Sequence, residues 1–189
     1  EHLGMDYLDL YLLHQPYGDV LGAWRALEEA KEEGRIRSIG VSNQTPGILK
    51  KLLPDMRILP AVNQVECNPL YQQKELRAFM KDYGIVTEAW YPLGHGNPAL
   101  LTDPVLTTIA KSHHKDTAQV ILRWLVQEGI VALPKATSAA HIEGDRNIFD
   151  FVLTDAEMAE IRTLDTGKGT HDPESRETAE QLQSFKIHD

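Results

Sequence analysis

The feature that most constrains this chain is an alternation. Short, apolar, β-rich runs are each followed by a segment with helical periodicity, and the pattern repeats to about residue 165. Tyr7 to His14 reads as a strand covered on both faces, and Leu21, Trp24, Leu27 and Ala30 then recur at helical spacing before a stop at Gly34. Ile36 to Val41 predicts a second strand, with Thr45-Pro46 as N-cap and first-turn proline of a short helix. Ala61 to Glu66, Ile85 to Trp90 and Ile130 to Leu133 predict three more strands. Helices are expected at Gln72 to Tyr83, Asp103 to His113, Thr117 to Gln127, Ser138 to Arg146 and Asp155 to Leu164. Parallel neighbours need crossover connections, usually helical and right-handed, so the pattern implies an α/β class with a parallel sheet.

Two architectures satisfy this pattern, an open doubly wound sheet and a closed (β/α)8 TIM barrel of which about five βα units are present. A full barrel needs about 250 residues, which favours the open sheet for a chain of 189. The strand ends favour the barrel. His14, Ser42-Asn43, Gln64 to Glu66, Trp90 and Lys135 stand at or near the C-terminal ends of all five strands. A barrel collects functional residues there, whereas an open sheet concentrates them at one crevice. No Pro-, Gly- or Ser-rich linker divides the chain, so residues 1–165 are expected to form one partial barrel. Residues 166–189 read as a polar C-terminal tail with a short helix at Glu177 to Phe185.

Composition narrows the function classes. A net charge of −9 argues against nucleic acid and acidic lipid as partners, because those surfaces are bound mainly through clustered Lys and Arg. Cys67 is the one cysteine, so no intramolecular disulfide is possible and a cytoplasmic setting is expected. No apolar run approaches the roughly 18 residues that would span a bilayer. His113-His114 lacks the ligand spacing of a metal site, and no Gly-x-Ser-x-Gly elbow is present. Neither a metal nor serine hydrolysis is expected.

The strand-end residues carry the candidate chemistry. His14 can exchange hydrogen bonds with a carbonyl and titrate near neutrality, although a histidine after an apolar run is commonly structural. The carboxamides of Asn43 and Gln64 can donate and accept, which suits recognition of another amide; helix capping and a buried hydrogen bond are their plainer readings. Thr45 already fills the cap, leaving Ser42 and Asn43 with less to do locally. Trp90 offers a face for a planar ring, or simply a core contact. Lys135, with Thr137 and Ser138 near a helix N-terminus, suits a phosphate better than it suits plain solvent.

These pieces together resemble the aldo-keto reductases. The matching segments are Leu3 to Pro16, Ile39-Gly-Val-Ser-Asn43, Pro60-Ala-Val-Asn-Gln-Val-Glu66, Pro92-Leu-Gly94, Ala118 to Trp124 and Leu133-Pro-Lys135, in family order. The resemblance implies a (β/α)8 fold with strands four to eight present, and NADPH-dependent reduction of a small aldehyde or ketone to an alcohol. It implies that His14 orients the carbonyl, that Ser42, Asn43 and Gln64 hold the nicotinamide carboxamide, and that Trp90 stacks on the ring. Leu93 falls at the cofactor, and Lys135, with Thr137 beside it, at the 2′-phosphate.

Departures from the family pattern qualify these expectations. Ala136 and His141 stand where serine and arginine are usual, and Asp145 replaces an adenine-contacting asparagine. These changes weaken 2′-phosphate recognition and leave NAD as a second candidate beside NADP. The family's catalytic Asp, Tyr and Lys belong to the first three βα units, which have no counterpart in this sequence. The isolated chain is therefore expected to be catalytically impaired, and a non-catalytic nucleotide-binding or regulatory module is the alternative. Oligomeric state is left open.

Overall fold

The computed structural model describes residues 4–184; residues 1–3 and 185–189 lie outside the described set, as do the side chains of residues 181–184. Five parallel strands alternate with helices, and the α/β class expected from the sequence is the class observed. The chain forms two compact units. Of the described residues, the first contains 4–65, 75–86 and 170–184, and the second contains 66–74 and 87–169.

In unit 1, β1 (Leu8–Leu13), β2 (Ile36–Ser42) and β3 (Val62–Glu66) run parallel in chain order, joined by α1 (Val20–Glu32) and α2 (Pro46–Leu52). α3 (Lys74–Lys81) follows. Leu13 pairs with Val41 and Val41 with Asn63, so β2 runs one residue and β3 three residues past the level at which β1 ends. Gly40 is required where it stands: a Cβ there would come within 2.6 Å of both Leu12 and Val62, side chains of the flanking strands. Trp24, Ile39, Leu49 and Met80 are fully buried in this unit's core. The end of α1 is set by Gly34, whose φ of 77° few other residues adopt, and the start of α2 by Thr45, whose hydroxyl accepts from Ile48 N–H.

One charged group is built into this core. Glu28 is fully buried on α1 and accepts hydrogen bonds from Ile58 N–H at 2.8 Å and Arg57 Nε at 3.1 Å. Burial pushes its carboxyl upward, but these donors and the Arg57 charge outweigh burial and hold it below the ordinary carboxylate range. The tail also belongs to unit 1. Tyr17 Oη donates to Pro173 O at 3.1 Å, and Thr45 Oγ1 donates to the Glu174 carboxylate. α9 spans Arg176–Ser184, matching the expected tail helix apart from Phe185, which lies outside the described residues.

Unit 2 holds the parallel pair β4 (Val86–Trp90) and β5 (Val131–Ala132), with Ala89 opposite Ala132. Between them lie α4 (Pro98–Leu101), α5 (Pro104–Ser112) and α6 (Thr117–Gln127); α7 (Ala139–Arg146) and α8 (Asp155–Arg162) follow β5. The core gathers Leu106, Ile121, Leu122, Trp124, Leu125 and Ile161. Asp116 and Gln119 close a reciprocal capping box at the start of α6, and Thr154 and Glu157 do the same for α8.

Several expected boundaries shift for local reasons. β5 is two residues long rather than four. α3 begins at Lys74 rather than Gln72, because Gln73 has φ 53° and Asn68 bridges back to Tyr71. After β4 the chain makes a turn of 3-10 helix at Gly94–Gly96 and leads into α4. Cys67 is fully buried.

Candidate functional site

Unit 1 places its polar residues on one level of the sheet. Parallel register puts Ser42 beside Gln64, with His14 one residue past the end of β1 and exposed to solvent. The main-chain carbonyl of Gln64 accepts from Ser42 Oγ and from Asn43 N–H, both at 2.9 Å. Ser42 and Asn43 were expected to be little used locally, and the structure corrects this. Ser42 is 1% exposed and bonded, and Asn43 Nδ2 donates to Gln15 Oε1 at 3.4 Å. The reason is the parallel neighbour: β3 runs on past the end of β2, so the end of β2 finds an acceptor in the backbone next to it.

Asn43 has φ 56°, the left-handed region that disfavours residues with a Cβ and that Asn tolerates best after Gly. The chain therefore turns sharply at the end of β2 and holds the Asn43 amide half-buried rather than running on as a strand. Beneath this turn lies Asn63, fully buried, whose Nδ2 donates to Gln44 O at 2.8 Å and whose Oδ1 accepts from Gln44 N–H at 3.3 Å. Gln44 is also fully buried, and neither its Nε2 nor its Oε1 has a hydrogen-bond partner. Sequence reasoning passed over Asn63 and Gln44. The available signal was a polar residue beside Gln64 within a strand, where alternation places neighbours on opposite faces.

Unit 2 places its candidates differently. Trp90 ends β4 half-buried, with its ring at 5.6 Å and nearly perpendicular to Tyr91, which in turn lies 4.2 Å from the His95 ring. Tyr91, Gly94, His95 and Gly96 all have positive φ, so the loop is tightly wound, and Gly96 N–H donates to Leu93 O at 3.0 Å. Leu93 itself packs against the unit's core.

Past β5, Lys135, Thr137 and His141 are exposed, and Asp145 is half-buried. Ser138 caps α7 by accepting from His141 N–H at 3.2 Å. Burial and the nearby Asp116 carboxylate raise Asp145 above the ordinary aspartate range, with His141 acting weakly in the other direction. A cation, a hydroxyl and a capped helix start on one solvated segment make a plausible chemistry for an anionic group.

Of the two histidines set aside from metal binding, His113 has a structural use. His113 Nε2 lies 2.8 Å from Glu157 Oε1, a carboxylate that already caps α8. No group of three metal-ligating side chains occurs among the described residues. Among them, too, no helix is long and apolar enough to cross a membrane.

A family model described as "Aldo/keto reductase family" matches residues 1–166. The chain is 46% identical over 170 residues to the 9,11-endoperoxide prostaglandin H2 reductase of Trypanosoma cruzi, covering 89% of this chain and 60% of that protein. It is 49% identical over 165 residues to the glyoxal reductase of Bacillus subtilis, covering 87% of this chain and 59% of that one. Among solved structures, an aldo/keto reductase from Brucella melitensis superposes with a TM-score of 0.81 at 44% identity, covering 86% of this chain and 63% of that chain. A mutant of Gox0644 in complex with NADPH superposes with a TM-score of 0.85 at 38% identity, covering 89% of this chain and 63% of that chain. The chain thus spans about three fifths of the length of the curated relatives it matches.

Proposed function

Because this chain belongs to the aldo/keto reductase family, we propose that its 189 residues supply the cofactor-holding part of an NADPH-dependent reductase of small aldehydes or ketones in the cytoplasm. The observation that carries this reading is the convergence of Ser42 Oγ and Asn43 N–H on the Gln64 carbonyl, at the level of His14, one residue past the end of β1. That pinned turn gives the Asn43 amide a fixed direction, and the neighbouring Gln64 offers a second amide. Together they fit a nicotinamide carboxamide, which needs both a donor and an acceptor.

NADPH, when bound, supplies the hydride and the planar ring on which this chemistry depends. Ser42, Asn43 and Gln64 hold the carboxamide and so fix which face of the ring is presented. Trp90 has an aromatic face on which a planar ring would stack, and Leu93 would add an apolar contact. His14 donates a hydrogen bond to the substrate carbonyl oxygen and polarises it, a role open to an exposed imidazole at a strand end. Lys135 pairs with the 2′-phosphate, assisted by Thr137. His141 and Asp145 face the adenosine end. An imidazole in place of an arginine fork, with the Asp145 carboxyl nearby, narrows the preference for NADPH over NADH.

The family's Asp, proton-donating Tyr and Lys have no counterpart among these residues, so the chain by itself binds nucleotide better than it turns over substrate. Fluorescence titration with NADPH, followed by NADPH oxidation with a panel of aldehydes, tests both parts. Measurable binding with little turnover is expected. Absence of NADPH binding overturns the cofactor assignment, and turnover at the rate of a full reductase overturns the impairment.

A further inference from the structure

The turn that presents Asn43 is held from beneath by a side chain that takes no part in the contacts proposed above. We propose that Asn63 is a positioning residue for nicotinamide recognition: it clamps the backbone of Gln44 and thereby fixes the left-handed Asn43 and the direction of its amide. This rests on the reading that Ser42, Asn43 and Gln64 hold the carboxamide.

A left-handed conformation at a residue with a Cβ is unfavourable and persists only where the surroundings impose it. At Asn43 the constraint comes from both sides. On the N-terminal side, Ser42 Oγ and Asn43 N–H both bond to the Gln64 carbonyl. On the C-terminal side, Asn63 holds the Gln44 backbone, using its two amide atoms on the N–H and the carbonyl of that one residue. The last paired residues of β2 and β3 are Ser42 and Gln64, so the Asn63 side chain continues the ladder where the main chain has turned away. Asn63 Nδ2 also lies 3.4 Å from the Met80 sulfur, which ties the clamp to α3. Because Asn63 is fully buried, its geometry is insulated from water and from competing partners.

Asn63 and Gln64 are adjacent, so their side chains leave the strand on opposite faces. Asn63 serves the turn from inside the core, and Gln64 leaves the strand on the other face. Asn63→Asp preserves size and the acceptor toward Gln44 N–H, but it sets an oxygen against the Gln44 carbonyl.

The test is titration of the full chain and of Asn63→Asp and Asn63→Ala with NADPH and with adenosine 2′,5′-bisphosphate, which carries the phosphate end but no nicotinamide. The expected result is an affinity loss of about tenfold for NADPH with the bisphosphate changed by less than about twofold, the scale of losing one buried hydrogen bond. Equal losses for both ligands, or no loss for NADPH, overturn the proposal. A wild-type chain that binds the bisphosphate but gains nothing from the nicotinamide overturns the carboxamide reading instead. Amide hydrogen exchange reads the clamp without any ligand, and it decides the matter if the variants fail to fold. Slow exchange of the Gln44 N–H in the wild-type chain is expected, and exchange as fast as an exposed loop overturns the clamp.

Discussion

The two stretches that carry most of the candidate cofactor residues are built in opposite ways. In unit 1, Ser42, Asn43 and Gln64 sit on a turn whose backbone is bonded on both sides and whose supporting residues, Asn63 and Gln44, are fully buried. In unit 2, Lys135, Thr137 and His141 stand exposed on a segment secured locally by the Ser138 cap. Reading an amide is a matter of direction, because a misplaced donor or acceptor is lost outright. Attracting a phosphate is a matter of charge, which tolerates motion. The first region should therefore be sensitive to any change, and the second only to changes of charge.

Asn43→Val is the severest way to break this contrast. It places a β-branched residue at φ 56° and removes the amide, so nucleotide affinity should fall by about thirtyfold or more while stability falls by about 2 kcal/mol. Titration and thermal melting measure the two losses, and a variant that keeps both properties would refute the strained-turn argument. Lys135→Ala should separate binding from stability. NADPH affinity is expected to drop about tenfold, NADH affinity to stay level and the melting temperature to stay unchanged, since the side chain is solvated. A comparable loss for NADH would remove Lys135 from the 2′-phosphate.

Gln44→Leu sharpens the comparison from the other side. Replacing an amide that is buried without partners by an apolar group of similar size should stabilise the chain by about 1 kcal/mol, raising its melting temperature by a few degrees. An unchanged or lower melting temperature would show that the amide has a use. Asp145→Asn should give the smallest effect, and its sign is diagnostic. The folded-state pKa of Asp145 is raised, so folding penalises its charged form. Stability linked to this group is present while the carboxyl is protonated and is lost as pH rises through its folded-state range. The variant should therefore melt slightly higher than the parent at neutral pH and no higher in acid. The opposite pH trend would contradict the assigned environment.

Much of the architecture is legible along the chain because its signals are local. Thr45-Pro46 announces the start of α2 and Gly34 the end of α1, since a capping hydroxyl, a fixed φ and a left-handed glycine act within a few residues. The span Thr117 to Gln127 is found as read, with its cap at Asp116. The candidate residues are legible as chemical types at strand ends. What their backbone does is not. Nothing adjacent to Ser42 shows that its hydroxyl donates to the Gln64 carbonyl on the neighbouring strand.

By itself, then, the sequence determined the order of strands and helices, the α/β class and the residues with the chemistry to meet an amide and a phosphate. These follow from periodicity, caps and side-chain type, all of which act over a few residues. Only the tertiary structure decided that Gly40 must be glycine between Leu12 and Val62, and that Asn43 turns left-handed. It alone decided that Asn63, rather than solvent, answers the Gln44 backbone. Each of these depends on which strand lies beside which and in what register, and register is set by pairing between segments some twenty residues apart.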